Sequence, residues 1–220
     1  MEPNVISAII SLYRADPYID DFLYRLGKLK NVDDIEFIFV INDDQKREVS
    51  KKVKDFNVNR KIIETSRETL YASWNRAIKV SEGEYLCNLN CDDYHFYDSL
   101  EMMRQILDSS PEYALCSGPW KIVYKPVEAF DEENDPNRPS GLKTIEYNNV
   151  FCGPCPMWRK EVHEKIGLFE AAYQCVGDHE MWNRMLKNGY KFARISVPTA
   201  IYYDHPKTIT NKSKGLKELY

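Results

Sequence analysis

Ile35-Glu-Phe-Ile-Phe-Val-Ile41, stopped by Asn42-Asp43-Asp44, is the stretch on which the fold turns. A near-continuous apolar run of this length suits a strand covered on both faces, the kind that builds parallel sheets flanked by helices. Upstream, Val5–Tyr13 is another apolar, β-branched run. Between the two, Ile19, Phe22, Leu23, Leu26 and Leu29 recur every three or four residues and define one helical face. Together they make a βαβ unit. Downstream the pattern continues with a basic helix near 44–56, a short strand over 61–64, and a helix carrying Leu70, Trp74, Ala77 and Ile78 that ends at Gly83. Glu84–Leu89 is a third long strand, closed by Asn90-Cys91-Asp92-Asp93, and Ser99–Leu107 a further helix. This alternation predicts an α/β doubly wound sheet, whose ligands bind beyond the carboxyl ends of the strands. Both acidic clusters, at 42–44 and 90–93, fall at those ends.

The second half is less regular. Strands are expected at 113–117, 121–125, 149–158 and 191–197, and helices at 160–166 and 178–188. Residues 128–139 read as a solvated loop. The chain has 220 residues, 30 Lys+Arg against 34 Asp+Glu, and a formal charge of −4. Such a length supports a self-sufficient hydrophobic core. The mild acidity argues against a broad nucleic-acid footprint. No apolar run approaches the ~20 residues of a spanning helix, and the start lacks the basic flank of an export signal. Six sparse cysteines do not form a disulfide framework. A reduced, cytoplasmic location is expected.

Two carboxylates placed together after a buried strand repel one another, and a divalent cation removes that cost. Asp92-Asp93 is therefore a candidate site for Mg²⁺ or Mn²⁺, both hard ions that favour oxygen ligands and substrate phosphates. The plainer alternative is that these acids cap the next helix.

The motifs run in order: Ser11-Leu-Tyr13-Arg14, Asn42-Asp43, Ser73-Trp-Asn75-Arg-Ala77 with Gly83-Glu-Tyr85, Asn90-Cys91-Asp92-Asp93, Gly177-Asp178-His-Glu180-Met-Trp182-Asn-Arg184, and His205. This series resembles glycosyltransferase family 2 over about residues 4–210. The family consists of inverting, nucleotide-sugar-dependent enzymes of the GT-A fold, a Rossmann-like mixed sheet flanked by helices. The resemblance implies one domain over 1–205, with a nucleotide-sugar half (about 1–95), an acceptor half (96–205) and a basic tail (206–220).

By the same resemblance, Ser11, Tyr13, Arg14, Asp43, Asn75, Asn90, Cys91 and Asp92 bind the nucleotide. Asp43 hydrogen-bonds the base, and Tyr13 offers a stacking face, or packs in the core. A basic residue often approaches the base from just before the Asn-x-Ala helix; Arg67 is the nearest here. Asp92 and His205 match metal-site positions, although a lone histidine also serves structure. The usual Asp-x-Asp is Asn90-Cys91-Asp92, which leaves Asn90 without charge. Asp178 matches the general base, with Gly177 where the family often has Glu. Trp120, Trp158, Glu180 and Trp182 are placed on the acceptor side, Glu180 alternatively pairing with Arg184.

Cys152-Gly-Pro-Cys155 has the letters of a thioredoxin motif, but Pro156 and its late position do not suit a helix starting at the cysteines. The 46–61 basic stretch reads as a solvated face. Lys207, Lys212, Lys214 and Lys217 leave peripheral contact with anionic lipid open. The expected function is transfer of a sugar from a nucleotide-diphosphate sugar, UDP-linked, to a glycan or lipid-linked hydroxyl. The alternative is a non-catalytic nucleotide-sugar-binding relative.

Overall fold

A computed structural model describes residues 6–42, 46–125 and 142–206. In chain order the elements are β1 (Ile6–Leu12), α1 (Ile19–Leu26), a 3-10 turn (Val32–Asp34), β2 (Ile35–Ile41), α2 (Lys46–Asp55), β3 (Arg60–Glu64), α3 (Leu70–Val80), β4 (Tyr85–Asn88) and β5 (Tyr94–His95). There follow α4 (Ser99–Ser109), β6 (Tyr113–Ser117), β7 (Trp120–Val123), β8 (Thr144–Glu146), β9 (Met157–Arg159), α5 (Val162–Ile166), α6 (Gly177–Lys187), β10 (Lys191–Ile195) and β11 (Ala200–Tyr203). Among the described residues the main sheet runs β3-β2-β1-β4-β9-β6-β10-β8, and a small sheet runs β5-β11-β7.

β1 pairs parallel with β2 and with β4, and β2 pairs parallel with β3. Their carboxyl ends therefore lie along one edge. Both faces of β1 and β2 are covered, as their unbroken apolar sequence requires. Ala8, Ile10, Leu12, Phe37 and Phe39 pack with Phe22 of α1, Val49 and Val53 of α2 and Met103 of α4. Ile9, Ile38 and Val40 point the other way, onto Trp74 of α3 and Met181 and Trp182 of α6. Alternation of period two along each strand serves two cores, and each fully buried aromatic such as Phe22 contributes about 1.5–3 kcal/mol.

Several local expectations change. α3 ends at Val80 with Ser81 at its C-cap, not at Gly83. Gly83 instead lies against β1, where a Cβ would stand 2.7 Å from the Ser7 backbone nitrogen. It borders a buried polar knot: Ser7 Oγ donates to Glu36 Oε2 (2.5 Å) and accepts from Gly83 N (2.9 Å), and Lys61 pairs with Glu36 (2.5 Å). The strand expected over 149–158 is confined to Met157–Arg159, because Gly153, Pro154 and Pro156 cannot sustain a ladder. The short strands β5, β8 and β11 carry too few residues for a periodic signal. Residues 128–139, expected as a loop, and 207–220, most of the expected tail, lie outside the described residues.

Candidate active site

The carboxyl edge of β1, β2 and β4 gathers the first group of expected residues. Past β1, Arg14 turns the chain with a left-handed φ of 54°, a conformation that costs a non-glycine residue ~1–3 kcal/mol and recurs at functional sites. Tyr13 is flanked by two guanidinium groups, with Arg14 5.2 Å and Arg67 5.0 Å from its ring centroid. Arg67 thus joins Tyr13 from the loop before α3. Past β2, Asn42 is buried and bridges two elements, its Nδ2 donating to Ser73 Oγ at 2.8 Å and reaching Ser11 Oγ at 3.5 Å. Among the described residues Asn42 Oδ1 is buried without a hydrogen-bond partner, and Ser73 donates in turn to Glu68 (3.0 Å). Asp43 lies outside the described residues.

Past β4, Cys91 is buried, and burial pushes its thiol up. Asn90 and Asp93 bond to each other, Nδ2 to Oδ2 at 2.9 Å. Asp93 also accepts from the Tyr203 backbone nitrogen (3.1 Å), and Arg25 donates to its carbonyl (2.7 Å). Burial and then the Asp92 charge raise the Asp93 carboxyl well above the usual range. Asp93 is thereby the clasp between the end of β4 and β11, and Asn90 spends part of its amide on it. That clasp brings His205, two residues past β11, to Asp92: Nε2 stands 3.3 Å from Oδ2. The ring also packs 4.8 Å from Tyr203 and 6.2 Å from Tyr18.

One carboxylate oxygen and one imidazole nitrogen, both from half-buried side chains, suit Mn²⁺ or Mg²⁺ with the remaining positions left to phosphate oxygens and water. Among the described residues no third acid, histidine or cysteine completes a protein-only cage. The donor set fits a cation whose remaining ligands come from a substrate and water.

Asp178 stands in the first turn of α6. Tyr71, in the first turn of α3, donates from Oη to Asp178 Oδ1 (3.0 Å) and is also bonded to the Cys175 carbonyl. α3 follows β3, so its N-terminus lies at the same sheet edge as Ser11 and Asn42. Gly177 is the residue on which the Tyr71 ring rests: a Cβ there would lie 2.7 Å from two ring carbons. Tyr71 is buried, stacked 5.9 Å from Phe169, and burial followed by the Asp178 charge pushes its hydroxyl up.

On the far side, expectation and structure part. Trp158 and Trp182 are 0% and 1% exposed, 5.2 Å apart in the core behind β9, so their rings do not reach an acceptor. Large apolar area decided their place; only their motif position suggested a surface. Asn75 closes both amide atoms on the Phe169 backbone (2.8 and 3.0 Å) and so ties α3 to the 168–170 loop instead of reaching toward a nucleotide. Glu180 pairs with Arg184 at 2.9 Å, the plainer of its two expected roles. Trp120 is partly exposed beside Arg194, whose guanidinium lies 5.4 Å from Trp120 and 4.6 Å from Tyr147. Gly153 makes room for the Trp120 ring, its Cβ position being 2.7 Å from Cε3. The flanking Cys152 and Cys155 are buried, and burial raises both thiols. As the sequence predicted, the Cys-Gly-Pro-Cys stretch does not open a helix. Phe151, which the sequence did not single out, is 54% exposed and edges onto His179 (4.9 Å), the neighbour of Asp178.

A mixed sheet flanked by helices, with the parallel strands β1, β2 and β4 ending at one edge where Asp92 past β4 meets His205 past β11, has the architecture of the GT-A fold. A model of the family described as glycosyl transferase family 2 matches residues 7–167, and the chain belongs to that family. Relatives include "Putative glycosyltransferase EpsH" of Bacillus subtilis (strain 168), 24% identical over 120 residues that make up 53% of this chain and 34% of that protein. Another is "Uncharacterized glycosyltransferase MJ1057" of Methanocaldococcus jannaschii, 20% identical over 87% of this chain and 68% of its own length. Among solved structures, S. aureus TarS 1-349 in complex with UDP-GlcNAc superposes with a TM-score of 0.72 at 16% identity, covering 95% of this chain and 61% of that one. The TarS 1-349 structure in complex with UDP gives 0.68 at 17% identity over 92% and 61%. The chain thus spans about a third of EpsH and about 60% of the TarS fragment. Among the described residues, no helix is long and apolar enough to cross a membrane.

Proposed function

We propose that this chain transfers a sugar from a nucleotide-diphosphate sugar, a UDP-sugar, to a hydroxyl of a glycan or lipid-linked acceptor, inverting the anomeric carbon in one displacement. The observation that carries the reading is Asp178, held by Tyr71 at the same sheet edge that presents Ser11, Tyr13 and Asp92. TarS structures of the same fold hold UDP and UDP-GlcNAc, which supports a uridine donor.

In this reading Tyr13 stacks on the base with Arg67 and Arg14 beside it. Residues 1–95 bind the donor, and 96–205 bind the acceptor over Trp120 and Phe151. Asp178 takes the proton of the acceptor hydroxyl as its oxygen attacks the anomeric carbon. The bond to the diphosphate breaks, and the nucleotide leaves with the electron pair. A positioned base of this kind contributes about 10²–10⁴-fold. Asp92 and His205 would hold Mn²⁺ or Mg²⁺, which when bound neutralises charge on a diphosphate.

The test measures UDP release and melting temperature with Mn²⁺ across a panel of UDP-sugars and acceptors. A donor should raise the melting temperature, and Asp178→Asn should keep that shift while cutting turnover at least about 100-fold. No donor binding at all, or full turnover by Asp178→Asn, refutes the reading. Donor binding by the wild type without turnover marks a non-catalytic nucleotide-sugar-binding protein.

A further inference from the structure

The Tyr71 hydroxyl has one proton and two acceptors within reach, Asp178 Oδ1 at 3.0 Å and the Cys175 carbonyl. A carbonyl oxygen only accepts, so while Asp178 is ionised the proton cannot satisfy both groups at once. When Asp178 is protonated the conflict disappears: the carboxyl donates to Tyr71 Oη, and Tyr71 donates to Cys175. The local backbone is built around this arrangement. Gly177 has no side chain where the Tyr71 ring lies, Asn75 fixes the Phe169 loop onto α3, and Thr69 Oγ1 donates to the Ala171 carbonyl at 2.6 Å. Tyr71 is therefore clamped at ring and hydroxyl, with rotation of the O–H bond as its remaining freedom.

We propose that Tyr71 is the positioning residue of Asp178, turning its single hydroxyl proton toward the carboxylate before transfer and toward the Cys175 carbonyl after it. The inference rests on Asp178 as the base. The proton balance is complete: the acceptor oxygen loses its proton to Asp178, the new glycosidic bond replaces the bond to the diphosphate, and Tyr71 neither gains nor loses a proton. No heavy atom has to move between the two states, so the base is held in one orientation throughout the reaction.

Tyr71 and Cys152 interact electrostatically with Asp178, Cys175 does so with Tyr71, and His179 adjoins the base under Phe151. Tyr71→Phe keeps the ring on Gly177 and removes both the donor to the charged form and the acceptor for the protonated form. The charge-assisted bond is the stronger of the two, so the Asp178 midpoint should move up relative to the wild type. The measurement is a ¹³C NMR titration of the aspartate carboxyl carbons, with the Asp178 resonance assigned by its loss in Asp178→Asn. It needs neither donor nor acceptor. An unmoved or lowered midpoint in folded Tyr71→Phe overturns the role of Tyr71, even where Asp178→Asn abolishes transfer. Normal transfer by Asp178→Asn overturns the base assignment and this inference with it. Should circular dichroism show that Tyr71→Phe does not fold, 3-fluorotyrosine at position 71 keeps the ring and acidifies the hydroxyl. The Asp178 midpoint should then fall, and a midpoint that stays or rises overturns the proposal.

Discussion

Replacing Gly177 by alanine perturbs the surroundings of Asp178, the proposed base, without touching a charged group. The new Cβ would stand 2.7 Å from Tyr71 Cδ2 and Cε2 and 2.9 Å from Cγ. Ordinary carbon contacts lie near 3.5–4.0 Å, so the ring must retreat by about 1 Å. Tyr71 is 1% exposed and hemmed by Trp74 (5.3 Å) and Phe169 (5.9 Å), so that retreat meets packed rings. Overpacking of this kind costs about 1–3 kcal/mol, and for a chain of this size about 2 kcal/mol lowers the melting temperature by about 4–8 °C. The same movement draws Oη away from Asp178, and a misplacement of about 1 Å costs turnover about 100-fold. Calorimetry and UDP release measure the two effects. Tyr71→Ala should relieve the clash, so the stability loss caused by Gly177→Ala should shrink in that background. If Gly177→Ala melts like the wild type, or costs as much with residue 71 truncated, the packing argument fails.

Glu36→Gln removes the charge of a side chain that is 1% exposed and faces Lys61, Ser7 and the Glu82 backbone nitrogen. Breaking such a buried pair should cost about 3 kcal/mol in urea unfolding at pH 7. Burial raises the Glu36 carboxyl, yet the Lys61, Ser7 and Glu82 contacts outweigh it and hold it below 4.5. Its contribution is therefore complete above pH 4.5 and lost as pH falls through the depressed folded value, so the gap between wild type and Glu36→Gln should narrow toward pH 3. His205→Ala should weaken the Mn²⁺ dependence of UDP release at least about 10-fold while leaving donor-free stability within about 0.5 kcal/mol. An unchanged Mn²⁺ response removes His205 from the metal site. Tyr13→Ala should weaken UDP binding by about 1–3 kcal/mol of lost stacking, measured by calorimetry, and an unaffected affinity would place the base elsewhere.

Much of the first half of the chain was legible because its signal is local. β2 spans Ile35–Ile41, as the apolar run predicted, and β1, α1 and α3 follow their periodicities within a few residues. Parallel pairing then aligns the ends of β1, β2 and β4, which brings Ser11, Asn42 and Asn90 to one edge from three separate stretches of sequence. The second half was less legible. Trp158 and Trp182 carry the same letters whether they face a sugar or a core, and only the packing of β9 against α6 settles which. Asn75 looks the same in sequence whether it contacts a nucleotide or, as here, the Phe169 backbone 94 positions away.

The sequence by itself determined an alternating α/β sheet and the edge at which the residues past its strands gather, because hydrophobic period and strand ends are properties of neighbouring residues. Tertiary structure alone decided which polar groups far apart in the chain are committed to one another. Asp93 clasps β11 and thereby delivers His205 to Asp92 across 113 positions, and Tyr71 reaches Asp178 across 107 over the bare backbone of Gly177. These pairings depend on which side chains are desolvated together, a property that arises only when distant segments share a core.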